Sequence, residues 1–176
     1  MHKRELNPVA KLFFAALYRD GVDFERAAAM LSERFGPADF VSRPFDFDET
    51  DYYRSEMGDG LKRSFISFEG LVSPSALVPA KLFAEEAEAL FSRGGGRAVN
   101  LDPGYVDFAK VVLASFKAAP HKLYLSDGVY ADLTLLYSKG AFRPFDWTFP
   151  DFRSDRYHAS LLKMRDLYKE RLRKNV

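Results

Sequence analysis

The chain has 176 residues, 47% of them hydrophobic, which excludes a disordered polymer and fits one globular domain over residues 1–176. A net charge of +1 leaves no global field to draw it to nucleic acid or an anionic membrane. The lack of cysteine excludes disulfides and thiolate chemistry, and no run approaches the ~20 apolar residues of a membrane span, so the expectation is a soluble cytoplasmic protein without a membrane partner.

Val9 to Tyr18 is apolar and reads as a buried strand. Gly21 and Asp23 open a helix in which Phe24, Ala27, Ala28, Leu31 and Phe35 recur at helical spacing until Gly36-Pro37 stops it. Asp39 to Phe47 reads as a strand interrupted by Pro44. Asp46 to Gly60 is an acidic connection carrying Tyr52 and Tyr53, and Leu61 to Phe68 is the next strand. A helix begins near Ser73 and Ser75, is firm from Pro79 to Phe91, and is closed by Gly94-Gly95-Gly96 before a short strand from Arg97 to Leu101. Asp102-Pro103-Gly104-Tyr105 has proline and glycine at the two central places of a type II turn.

The second half changes character. Lys110 to Phe116, Lys122 to Leu125 and Val129 to Tyr137 read as strands in antiparallel succession, and Asp127-Gly128 is a strong signal for a type I′ hairpin. A loop rich in Phe, Pro and Trp follows. Ser154 is placed to cap a last helix whose apolar face is Tyr157, Leu161, Met164, Leu167 and Tyr168. The expected fold is α+β. A ferredoxin-like βαββαβ core over residues 1–101 is extended by an antiparallel β-meander within 102–153 and a terminal helix over 154–176.

Several segments together resemble a known family. They are Pro8 to Phe13, Asp51-Tyr52-Tyr53 with Glu56-Met57-Gly58, Leu61 to Phe65, Asn100 to Tyr105, His121 to Leu125, Asp127 to Ala131 and Trp147 to Asp151. Over nearly its whole length the chain resembles a bacterial family filed as a domain of unknown function, number forty-four sixteen. The resemblance implies no activity, although members are sometimes labelled GTP-binding protein. The residues argue against a P-loop GTPase. There is no G-x-x-x-x-G-K-[ST] loop to cradle phosphates and no Asn-Lys-x-Asp to read guanine. The one glycine run follows a helix, where the dipole repels phosphate.

Candidate site residues cluster between Asn100 and Arg153. With a two-residue turn at Asp127-Gly128, Leu125 faces Tyr130, Leu123 faces Asp132 and His121 faces Thr134, which puts His121 beside Asp132 as a candidate acid–base pair. The competing reading is a cross-strand salt bridge. Asn100, Asp102, Tyr105, Lys110, Thr134 and Trp147 complete the candidate ligand-binding set. The acidic stretch Asp46, Asp48, Glu49, Asp51 fails the EF-hand template, and the three histidines lack zinc spacing, so no metal site is expected and no cofactor is indicated. The expected function is binding of a small anionic or phosphorylated metabolite, with or without catalysis. The alternative is a non-catalytic RNA- or protein-interaction module, although the strands lack the RNP1 pattern.

Overall fold

The computed structural model describes residues 8–92 and 96–174. Its elements are β1 (Lys11–Tyr18), α1 (Gly21–Phe35), β2 (Ala38–Val41), β3 (Phe45–Asp46), α2 (Arg54–Met57), β4 (Lys62–Phe68), α3 (Leu77–Leu90), β5 (Val99–Val106), β6 (Lys110–Ser115), β7 (Lys122–Ser126), β8 (Val129–Ser138), β9 (Ala141–Pro144), α4 (Pro150–Arg153) and α5 (His158–Lys174). The strands form one nine-stranded antiparallel sheet in the order β2-β4-β1-β5-β6-β8-β7, with β3 beside β4 and β9 beside β8. Among the described residues no helix is long and apolar enough to cross a membrane.

The continuous apolar run of β1 has a direct cause. The strand is central and covered on both faces, so all eight of its residues are buried. Leu12, Phe14, Ala16 and Tyr18 point to one side, where Ala27 and Leu31 of α1 and Ala80, Ala84 and Ala87 of α3 pack on them. Phe13 and Ala15 point to the other side, where Phe152 of α4 and Leu161 and Met164 of α5 close the core. The two sides are called the α3 face and the α5 face below. Asp20 starts α1 by accepting from the amide of Val22, and Gly36, at φ 98°, ends it.

The structure corrects the sequence reading at several points. The expected strand from Asp39 to Phe47 is two short strands, separated where Pro44 cannot join the ladder. Asp102-Pro103-Gly104-Tyr105 is not a turn but the middle of β5, paired residue for residue with β1 from Val99 to Val106. The second half is not a meander: β8 lies between β6 and β7, and the long β8 also pairs with β9, which forms within the stretch expected to be a loop. Ser154 precedes a 3-10 turn leading into α5, and its hydroxyl donates to the Asp151 carbonyl rather than capping the helix. Of the glycine run expected to close α3, Gly94 and Gly95 lie outside the described residues.

The Asp127-Gly128 turn forms as expected, with φ of 50° and 75°. The register beyond it differs. Leu125 is bulged out of the ladder, so Tyr124 pairs with Tyr130 and Lys122 with Asp132. A slip of one residue exchanges the faces of a strand. Lys122 therefore stands where His121 and Leu123 were expected.

Candidate functional site

The site is built around Arg63. In β4 this residue shares the α5 face with Phe65, so a guanidinium lies inside an apolar layer, 3% exposed. A charge there requires partners. Strands are about 4.8 Å apart, so the long side chain can cross β1 to β5 where β1 carries only Ala15 on that face. Nη1 donates to the Ala15 carbonyl at 3.1 Å and to Asp102 Oδ2 of β5 at 3.2 Å. Nη2 donates to Asp151 Oδ2 of α4 at 3.3 Å. The ring of Phe47 lies 5.1 Å from the guanidinium carbon.

Beside Arg63 the sheet opens. β6 pairs with β5 only from Gly104 to Val106, so β5 has a free edge from Val99 to Pro103. The edge amide of Leu101 is taken by Glu88 Oε1 of α3 at 2.6 Å. Two residues on, the same edge position is Pro103, which has no amide to satisfy. The gap opens into a cavity of about 380 Å³. Its floor includes Arg63, Asn100, Asp102 and Asp151, its walls Lys81, Arg97, Lys117 and Lys122, and its rim Tyr52, Phe116 and Phe149. The acidic loop before β4 folds over this opening because Phe47, Met57 and Tyr53 pack with Leu17 and Leu61.

The charges are ordered. Among the described residues, five cationic side chains line the cavity against two carboxylates. The acids that balance the others stand behind the wall: Glu56 and Glu88 on Arg97, and Asp132 on Lys122 at 3.3 Å. Burial works to raise the Asp102 carboxyl, but Lys81 and Arg63, with hydrogen bonds from Arg63 and Asn100, outweigh it and hold it below the usual range. For Asp151 burial wins over Arg63 and the carboxyl is pushed up. Burial, reinforced by Asp102, raises the Tyr53 phenol, which stays neutral.

The expected site residues are divided among three places. Asn100 and Asp102 line the cavity, joined by a hydrogen bond from Asn100 Nδ2 at 2.8 Å. His121, Asp132, Thr134 and Trp147 gather behind Lys122. His121 Nε2 is 3.6 Å from Asp132 Oδ2, so the expected pair meets despite the shifted register. Trp147 stacks on His121 at 5.2 Å and donates to the Leu133 carbonyl. Thr134 is the extra residue of a second bulge, fully buried, donating to the Asp132 carbonyl. Lys110 is paired with Asp107 at the β5–β6 turn, and Tyr105 packs with the α3-side cluster of Leu77 and Val112. These four residues behind Lys122, with Lys110 and Tyr105, lie off the cavity lining.

Sequence reasoning missed Arg63, Lys81, Lys117, Lys122 and Asp151. One signal was available for Arg63. It shares a strand face with Phe65 and Ser67, and a charge among apolar neighbours is costly unless it is held. Among the described residues no group of His, Asp or Glu is arranged to hold a metal ion. The loop acids are engaged in ion pairs, Asp46 with Lys62 and Asp48 and Glu49 with Arg156.

No curated protein and no solved structure matches this chain. A family model described as Domain of unknown function (DUF4416) matches residues 8–168, which span both the sheet and the cavity. The chain belongs to that family.

Proposed function

We propose that this protein binds a small anionic metabolite in the cavity between β5, β6 and the loop before β4. The observation that carries this reading is the ordering of charge: cationic side chains face the cavity while most balancing acids stand outside it. In a concave cleft such an arrangement favours an anion. The volume of about 380 Å³ is at the small end of ligand sites. In this reading His121 and Asp132 orient Lys122 rather than touch the ligand. The enclosure favours a small molecule over the broad basic face an RNA-interaction module needs.

A thermal-shift screen that pairs anionic metabolites with neutral analogues tests the proposal. A ligand at 100 times its Kd adds about 2.7 kcal/mol of apparent stability. Anions are expected to raise the melting temperature, and Lys81→Met to abolish the rise. Stabilisation by the neutral analogues alone would overturn the reading.

We also read the first half as ferredoxin-like. The strand order β2-β4-β1-β5, with α1 and α3 on one face, supports this. A cytoplasmic setting is part of the same reading, supported by the cysteine-free sequence.

A further inference from the structure

We infer that the cavity seats a phosphoryl group among Lys81, Lys117 and Lys122, and that its ligand is a phosphate monoester bearing hydroxyl or amino groups. The inference rests on the anion-binding reading above and names the anion.

Each of these lysines lies beside an aromatic ring, and the Lys117 ammonium also donates to the Tyr52 hydroxyl. Lys117 Nζ is 4.3 Å from the Tyr52 ring centre, Lys81 Nζ 5.3 Å from that of Phe116 and Lys122 Nζ 5.5 Å from that of Phe149. A ring face steadies an ammonium without cancelling its charge, as a carboxylate would. Lys81 and Lys122 also touch Asp102 and Asp132, at 3.6 and 3.3 Å, and Asp102 is shared with Arg63. Among the described residues Lys117 has no carboxylate partner, so the group keeps uncompensated positive charge.

The three come from separate parts of the chain and meet at one short segment. Phe116 carries Lys81, and Ser115 Oγ accepts from the Lys122 ammonium at 3.0 Å and from the Lys117 amide at 3.0 Å. Three ammonium groups lining one cavity from α3, β7 and the loop after β6 suit an anion with three terminal oxygens. Planar carboxylates are better served by the fork of an arginine. The arginine on the floor, Arg63, is already engaged by Asp102 and Asp151. The rim rings Tyr52, Phe116 and Phe149, which are 59%, 39% and 42% exposed, surround this seat. At the floor, Asp102 and Asp151 present acceptors, which call for donors on the remainder of the ligand.

Calorimetric titration at constant ionic strength tests the seat with glycerol phosphate, glycerol, inorganic phosphate and malonate as probes. Glycerol phosphate is expected to bind, glycerol not to bind, and malonate to be weaker by about tenfold or more. Lys117→Met is expected to weaken glycerol phosphate by about tenfold with an unchanged melting temperature, because Lys117 is exposed and holds no carboxylate. Malonate binding as well as glycerol phosphate would overturn the phosphoryl assignment while leaving the anion site standing. Inorganic phosphate matching glycerol phosphate would overturn the monoester assignment. Glycerol phosphate binding that survives both Lys117→Met and Lys81→Met would overturn the seat. If no anion binds, the site reading falls with it.

Discussion

Arg63 links the fold to the site. Its guanidinium holds β4, β1, β5 and α4 through one set of hydrogen bonds and forms the cavity floor. Arg63→Met is expected to cost about 3–5 kcal/mol in urea unfolding, because Asp102 and Asp151 would be left facing each other without their shared cation. The two carboxylates differ in pH behaviour. Asp102 titrates below its ordinary 3.8 in the folded chain. Its stabilising contribution is complete above about 4 and is lost as the pH falls through the folded value. Asp102→Asn is therefore expected to be clearly less stable than the wild type at neutral pH, with the gap closing in acid. Asp151 behaves in the opposite sense: its folded value is raised, so stability from this group declines as the pH rises toward that value. Asp151→Asn is expected to cost less than Asp102→Asn at neutral pH. Urea titrations of both variants at neutral and acid pH check the sign of each.

At the scale of elements, β5 illustrates how pairing overrides local preference. Asp-Pro-Gly-Tyr satisfies every rule for a turn, yet eight residues of ladder with β1 hold it extended. Gly104 is small for a packing reason rather than a conformational one. A Cβ there would lie 2.7 Å from Leu113 and Phe13 side-chain carbons and 2.8 Å from the Val112 carbonyl oxygen. Gly104→Ala is expected to destabilise by about 1–3 kcal/mol, read from the denaturation midpoint, because the backbone of β6 cannot move aside. In β7 the turn residues were legible and the register was not. The bulge at Leu125 depends on which side chains β8 and the cavity wall accept, and it is what brings Lys122 opposite Asp132.

For the molecule as a whole, the sheet is stable only because both faces are covered. Helices α1 and α3 cover one, and α4 and α5 return at the end of the chain to cover the other. Met164 of α5 is fully buried against this second face. Met164→Ala is expected to cost about 2–5 kcal/mol, checked by thermal or urea unfolding, since a rigid sheet cannot collapse into the space left.

The amino-acid sequence by itself determined the helix from Gly21 and the one firm from Pro79, the buried β1, the Asp127-Gly128 turn and the apolar stripe of α5. Each follows from local chemistry: spacing of apolar residues, proline and glycine at stops, and positive φ at a tight turn. It also carried the segments that place the chain in its family. Only the tertiary structure decided that Pro103 lies in a strand, that β8 separates β6 from β7, and that Arg63, Asp102 and Asp151 meet across residues far apart in the chain. Those outcomes depend on which strands become neighbours. Nothing in the spacing of residues along one segment encodes where a distant segment will supply the countercharge, and the cavity is made of such distant pairs.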